Sequence, residues 1–443
     1  MEQRKYGFFT ATTMIVGIVI GSGIFFRSDN VLVYTGGNVL LGALVFTLAA
    51  VNIIFGSLSI AQLASLSDKA GGAITYAEQF CSKGMGCVFG WFQSFLYYPT
   101  LVAVVSWVSG IYTCILFDLP MTLENQVLIG TGATVFLYVV NILSARLGGW
   151  FQNAATIIKL IPLILIALAG IFIAKPGPML ISDAATVLST AAWVSAIVPI
   201  AFSFDGWIIA TSVGHEIKNS KRNLPLALVV SPLIILAVYL IYFIGISALV
   251  GPEKIMQMGD AHVDYAANLL FGPVGAKVIL VFVIISVLGT VNGLILGLIR
   301  VPYSLAVRGM LPGAAKLGKE GAQKGFSVAS ALLTAAISLF WILVHYLTQK
   351  FEMLPNSDIS EISIVFNYVG FIILYVTVMR LASRGQVKGI ANGYIFPALA
   401  ILGSGVILMG GISNPLFVPY ALMCTAVVAA ALLYYRFNKA NIQ

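Results

Sequence analysis

Charge is scarce in this chain. Of its 443 residues, 24 are Lys or Arg, 16 are Asp or Glu and three are His, while 60% are hydrophobic. With a mean hydropathy of +1.00, no water-soluble domain of this length needs so much apolar surface. The composition is that of a polytopic α-helical membrane protein. Alternating polar and apolar residues are missing as well. The apolar runs are long and continuous, which excludes a membrane β-barrel. Cysteine is thin: Cys81, Cys87, Cys114 and Cys424 show no CxxC or zinc-type spacing, so no disulfide framework is implied. No Cys/His/Asp or metal-ligand cluster can be assembled within the apolar segments, so no catalytic residues, metal or cofactor are expected and an embedded enzyme is disfavoured. The first apolar segment lacks a cleavage site and is too long for a signal peptide, so it is expected to remain as a span. The net charge of +8 is a topology signal in such a chain, not a mark of nucleic acid.

About 20 apolar residues cross the hydrocarbon core. Twelve spans can be read: Phe8–Tyr34, Val39–Ser65, Met85–Phe117, Leu123–Ser144, Phe151–Ala174, Val187–Val213, Leu224–Val250, Pro273–Val307, Phe326–Leu347, Ile359–Ala382, Gly389–Gly411 and Pro415–Phe437. The third and eighth are long enough to tilt or protrude. Seventeen of the 24 basic residues then fall on one side and only Lys175, Lys254, Lys277 and Lys350 on the other. That bias places both termini in the cytoplasm of a cell-membrane protein.

Two spans carry helix breakers at mid-depth. The first reads Val19-Ile20-Gly21-Ser22-Gly23-Ile24-Phe25, and the sixth reads Pro199-Ile200-Ala201-Phe202-Ser203-Phe204-Asp205-Gly206-Trp207. Broken backbone inside a bilayer is tolerated only against protein or a cavity. A break exposes carbonyls on one side and N–H groups on the other, which suits a zwitterion. Taken alone, Gly17 and Gly21 also fit a small-xxx-small packing pattern. Interruptions at matching places in spans one and six, five spans apart, are the signature of an inverted repeat with its site where the broken helices meet. The expected organisation is a single transporter domain, 1–443, with repeats over 8–174 and 187–382 and two added helices over 389–437.

Charges inside the spans are functional candidates. Lys159 either snorkels to the headgroups or bonds carbonyls at a broken helix, where its ammonium would stand in for a sodium ion or carry a proton. Asp205 has three readings: a cap for the outer half of span six, a contact for a substrate ammonium, or a partner for Arg27. Arg27 itself is expected to face the outer vestibule, and Arg300 to snorkel or bond loop carbonyls. Ser286, Gly289, Thr290 and Gly293 give span eight one small, partly polar face. His215 and His262 read as loop residues, and His345 as a core or interface residue near an outer helix end.

The chain resembles the amino acid–polyamine–organocation superfamily, and within it the L-type amino acid transporter family. The matching pieces are Ile20 to Phe25; Ala70-Gly71-Gly72 with Tyr76; Lys159 with Leu160-Ile161-Pro162; Phe202 to Trp207; Glu216 to Asn219 with Asn223-Leu224-Pro225; Gly289 to Gly293; and Arg308 to Pro312. It looks most like the bacterial exchangers of the alanine-serine-cysteine and serine/threonine types. The resemblance implies a LeuT-like fold and alternating-access, sodium-independent exchange of small neutral L-amino acids such as alanine, serine, cysteine or threonine. Proton-coupled symport is the alternative. It further implies a substrate carboxylate on the N–H groups of Ser22, Gly23 and Ile24 around Gly21. The ammonium would bond carbonyls near Val19, Ile20, Phe202 and Asp205, with Ser203 alongside. Phe202 would be the gate, Lys159 would tie Gly17 and approach Ser286, and Thr290 and Asn292 would be weaker pocket candidates. Tyr98-Pro99 and Asp205 depart from the eukaryotic pattern. Cys114 lies within a helix end, so no glycoprotein subunit is expected.

Overall fold

A peptide group in hydrocarbon has no water to bond, so each segment must satisfy its own backbone, and helices do that. The computed structural model describes residues 7–442 apart from 22, 68–71, 145–150, 152–153, 156, 185–192, 209–210, 212–216, 319–325, 355–356, 413 and 415. Among the described residues the architecture is all-helical. Nine helices there are long and apolar enough to cross a membrane. In chain order the elements used below are α1 (Phe8–Val19), α2 (Gly23–Tyr34), α3 (Val39–Leu66), α4 (Lys83–Leu116), α5 (Leu123–Leu143), α6 (Leu160–Ala174), α7 (Trp193–Ser203) and α8 (Ser220–Val250). They continue with α9 (His262–Leu298), α10 (Arg300–Val307), α11 (Val328–Lys350), α12 (Ile359–Ser383), α13 (Phe396–Ile412) and α14 (Phe417–Asn438).

Several ends follow from local chemistry. Asn38 caps α3 by accepting from the Leu41 N–H at 2.7 Å, and Ser327 caps α11 through the Ser330 N–H at 3.0 Å. Each such cap is worth about 1 kcal/mol. The expected eighth span starts at Pro273. The helix instead begins earlier, at His262, and bends where Gly272 adopts φ 69°. Only glycine takes that backbone readily, and Pro273 has no N–H to lose. A turn at Ile299 then sets α10 apart, so the single long span of the sequence reading is jointed at both ends.

Between apolar helices in lipid there is little hydrophobic drive, and small residues that let backbones approach take over. A Cβ on Gly170 of α6 would lie 2.1 Å from the Gly245 carbonyl of α8, and one on Gly110 of α4 would lie 1.9 Å from the Gln126 carbonyl of α5. Neither glycine can be replaced without moving a helix. Helix α8 packs on α1, α3 and α6, and α4 packs on α5 and α9. The two interrupted stretches are held between these groups.

Candidate functional site

Helix α1 ends at Val19, and α2 starts at Gly23. Ile20 bonds back to the Val16 carbonyl at 2.8 Å and then turns away with ψ 90°. Ser22 lies outside the described residues. Helix α7 ends at Ser203 and is followed by a turn over Phe204, Asp205 and Gly206, where Gly206 takes φ 93°. The two interruptions touch. A Cβ on Gly23 would sit 2.8 Å from the Ser203 Cα and 3.2 Å from the Phe202 ring, and one on Gly21 would sit 2.6 Å from the Thr290 hydroxyl. The start of α2 therefore meets the end of α7, with α9 alongside.

The carbonyls at these ends are largely engaged. Lys159, 1% exposed, donates its Nζ to the Gly17 carbonyl in the last turn of α1. An ammonium there meets the negative end of a helix dipole. The Tyr239 hydroxyl of α8 lies 3.1 Å from the Val19 carbonyl and 2.7 Å from the Ser203 carbonyl. Phe202 gives its carbonyl to the Asp205 N–H at 3.0 Å. By contrast, the first N–H groups of α2 have no acceptor within their own helix. The positive end of a helix dipole is thus what the junction leaves open, and that end favours an anion.

Two of the three sequence readings of Asp205, the cap and the pairing with Arg27, are not seen among the described residues. Asp205 caps no described helix. Its carboxylate accepts from the Tyr97 hydroxyl. The half of span six that precedes it packs on α2. Arg27 is not its partner. Tyr97 closes a π-helical turn, Gln93–Tyr97, inside α4. One extra residue in a turn re-aims the side chains that follow, and such turns recur at functional sites. Tyr98, which departs from the eukaryotic pattern, stacks edge-on to Tyr97 at 5.2 Å.

Arg27 does not face a vestibule. It is 2% exposed, with Nη1 at 2.8 Å from Glu361 and Nη2 on Asp358, both at the start of α12. Its guanidinium also lies 4.6 Å from the centre of the Phe202 ring. One cation thus joins α2, α12 and the end of α7. Other readings shift too. The Ser286 hydroxyl is buried without a hydrogen-bond partner, so Lys159 does not bond it. Asn292 accepts from Asn141 of α5 at 2.8 Å. Arg300 bonds the Leu296 carbonyl in the last turn of α9. His262 is fully buried, with Nδ1 2.6 Å from the Gly259 carbonyl, not a surface loop residue. His345 is buried against Trp107 at 4.8 Å, and His215 lies outside the described residues. Among the described residues, no group of three or more His, Cys, Asp or Glu could hold a metal ion.

Tyr239 and Tyr97 were missed by sequence reasoning. Each is an aromatic in a continuous apolar run, and no spacing sets it apart from a packing residue.

A family model described as amino acid permease matches residues 6–440. The serine/threonine exchanger SteT of Bacillus subtilis (strain 168) is 30% identical over 413 residues, covering 92% of this chain and 90% of its own. The b(0,+)-type amino acid transporter 1 of Mus musculus is 25% identical, covering 98% of this chain and 87% of its own. The Asc-type amino acid transporter 1 of Homo sapiens is 28% identical over 325 residues, covering 70% of this chain and 60% of its own.

Proposed function

Because the chain belongs to the amino acid permease family, within the amino acid–polyamine–organocation superfamily of multi-pass membrane transporters, we propose that it exchanges small neutral L-amino acids across the plasma membrane by alternating access, without sodium. Alanine, serine, cysteine and threonine are the proposed substrates. One observation carries the reading: the start of α2 meets the end of α7 at Gly23 and Ser203, while Lys159 occupies the carbonyl end of α1. The open N–H groups of Gly23 and Ile24, together with Ser22, would take the substrate carboxylate. The carbonyl of Ile20 would take the ammonium, since those of Gly17 and Val19 already have donors. Ser203 and Thr290 would border the site, and Phe202 would close it under Arg27.

The proposed frame is twelve spans with cytoplasmic termini, arranged as inverted repeats over 8–174 and 187–382 with 389–437 added. No heavy-chain partner is proposed, and the burial of Cys114 within α4 supports that. Proteoliposomes loaded with unlabelled serine should take up labelled alanine or serine faster than empty ones, with the same rate when potassium replaces sodium. Equal uptake by loaded and empty vesicles would sink exchange.

Proton symport is the second reading, and the buried amine of Lys159 is the observation that favours it. It requires uptake into empty vesicles under an inward proton gradient, abolished by a protonophore.

A further inference from the structure

A groove of about 340 Å³ lies away from the junction, between the first turns of α4, the middle of α12 and the outer face of α14. Met85 and Phe89, Phe366 and Gly370, and Thr425 and Val428 line it. It opens on the lipid-facing side, where Val369 and Leu432 are 40% and 45% exposed. Such a groove in a membrane span has hydrocarbon for its surroundings.

Helical register carries each wall to a cation. On α14, Thr425, Val428 and Leu432 recur at three- and four-residue steps, and the next step is Arg436. On α12, Phe366, Gly370 and Ile373 continue through Thr377 to Arg380 and Arg384. On α4, Lys83 opens the helix two residues before Met85. The three walls converge at this end. Tyr435 lies 3.1 Å from a Cβ built on Gly84, Lys83 donates to the Ile442 carbonyl at 3.4 Å, and Thr377 meets Cys81 at 3.0 Å. All four cations are exposed. The nearby acid Glu78 is held by Arg308 at 3.2 Å. From Thr425 to Arg436 is roughly 16 Å along the helix, a span suited to an acyl chain below its headgroup.

We propose that this groove holds an acyl chain of an anionic phospholipid, drawn from the leaflet at the cation-rich end, with its phosphate among Lys83, Arg380, Arg384 and Arg436. Clustered cations beside a span attract anionic headgroups, and an apolar groove fits the chain. A second copy of this protein fits less well, because a two-fold contact across the groove would set these cations against one another. The lipid would brace the wall whose helices also carry Tyr97 and Asp358.

The test uses the full chain purified in mild detergent, with native mass spectrometry of retained dioleoyl phosphatidylglycerol and dioleoyl phosphatidylcholine. Phosphatidylglycerol should be retained on the order of tenfold more strongly. The exposed pair Arg380→Gln with Arg436→Gln should bring it down to the phosphatidylcholine level. Val428→Trp, which fills the groove, should cut retention of both lipids. Equal retention of the two lipids by the unaltered chain overturns the proposal, as does unchanged phosphatidylglycerol binding in the double variant. A dimer lost on Val428→Trp with lipid retention intact also overturns it and assigns the groove to a second copy. The readout is binding, so it stands apart from whether exchange is observed.

Discussion

Lys159 and Arg27 are both buried cations, held in opposite ways. Lys159 sits on a neutral backbone carbonyl at the end of α1, where the helix dipole supplies the attraction. Arg27 sits between two carboxylates at the start of α12, both buried with it. The first arrangement ties a side chain to backbone that must stay in place for the break to persist. The second joins side chains on separate helices, and it breaks by pulling two surfaces apart. A tie of the first kind holds a site in shape; a tie of the second kind suits a closure that opens. Phe202 lies beneath the second, so the ion pairs and the aromatic cover would move together.

The comparison can be broken most forcefully at Arg27. Arg27→Ala leaves Asp358 and Glu361 buried and unpaired, which should cost about 3–5 kcal/mol and lower the melting temperature in detergent. Adding Asp358→Asn and Glu361→Gln should restore most of that stability. No recovery in the triple variant would mean that the loss came from packing on Phe202, not from charge.

Lys159→Met should cost less stability and more transport. A bare Gly17 carbonyl is worth roughly 1–3 kcal/mol, and exchange should fall about tenfold or more with expression largely kept. Exchange kinetics unchanged from the parent would reduce Lys159 to a snorkelling residue.

Tyr239→Phe should have a smaller effect, about 1 kcal/mol, seen as a few-fold rise in KM for serine counterflow. A change in expression with KM untouched would assign the hydroxyl to folding alone. The smallest expected effect is at Tyr97→Phe, which frees the Asp205 carboxylate without opening a void. It should alter the ranking of competing amino acids in a counterflow panel more than the maximal rate. An unaltered ranking would place Asp205 outside the side-chain end of the site.

Much of this was legible beforehand because it breaks a pattern. Glycines around Ser22, an Asp-Gly pair and a lone lysine each interrupt an apolar run, and each falls at the junction or beside it. At Gly23 the structure adds a steric reason for glycine that the sequence does not show: the Ser203 backbone already occupies the space a side chain would need. What stayed hidden depends on distance along the chain. The carboxylates that hold Arg27 lie 331 and 334 residues away, and no local spacing announces such a pair. Tyr239 and Tyr97 are hidden for another reason. A tyrosine in a hydrophobic run looks like packing until its hydroxyl is seen to find a partner.

The position of Tyr239 carries a consequence for motion. A phenol has one proton, and here it stands within reach of two carbonyls, one on each interrupted stretch. Turning about a single C–O bond moves that proton from one acceptor to the other while the ring stays where it is, packed on Phe46 and Phe204. A half-helix that rocks away from Tyr239 therefore leaves the hydroxyl still bonded to its neighbour. The junction can loosen on either side separately without stranding a polar hydrogen in the membrane, and the tyrosine acts as a hinge pin with two interchangeable seats.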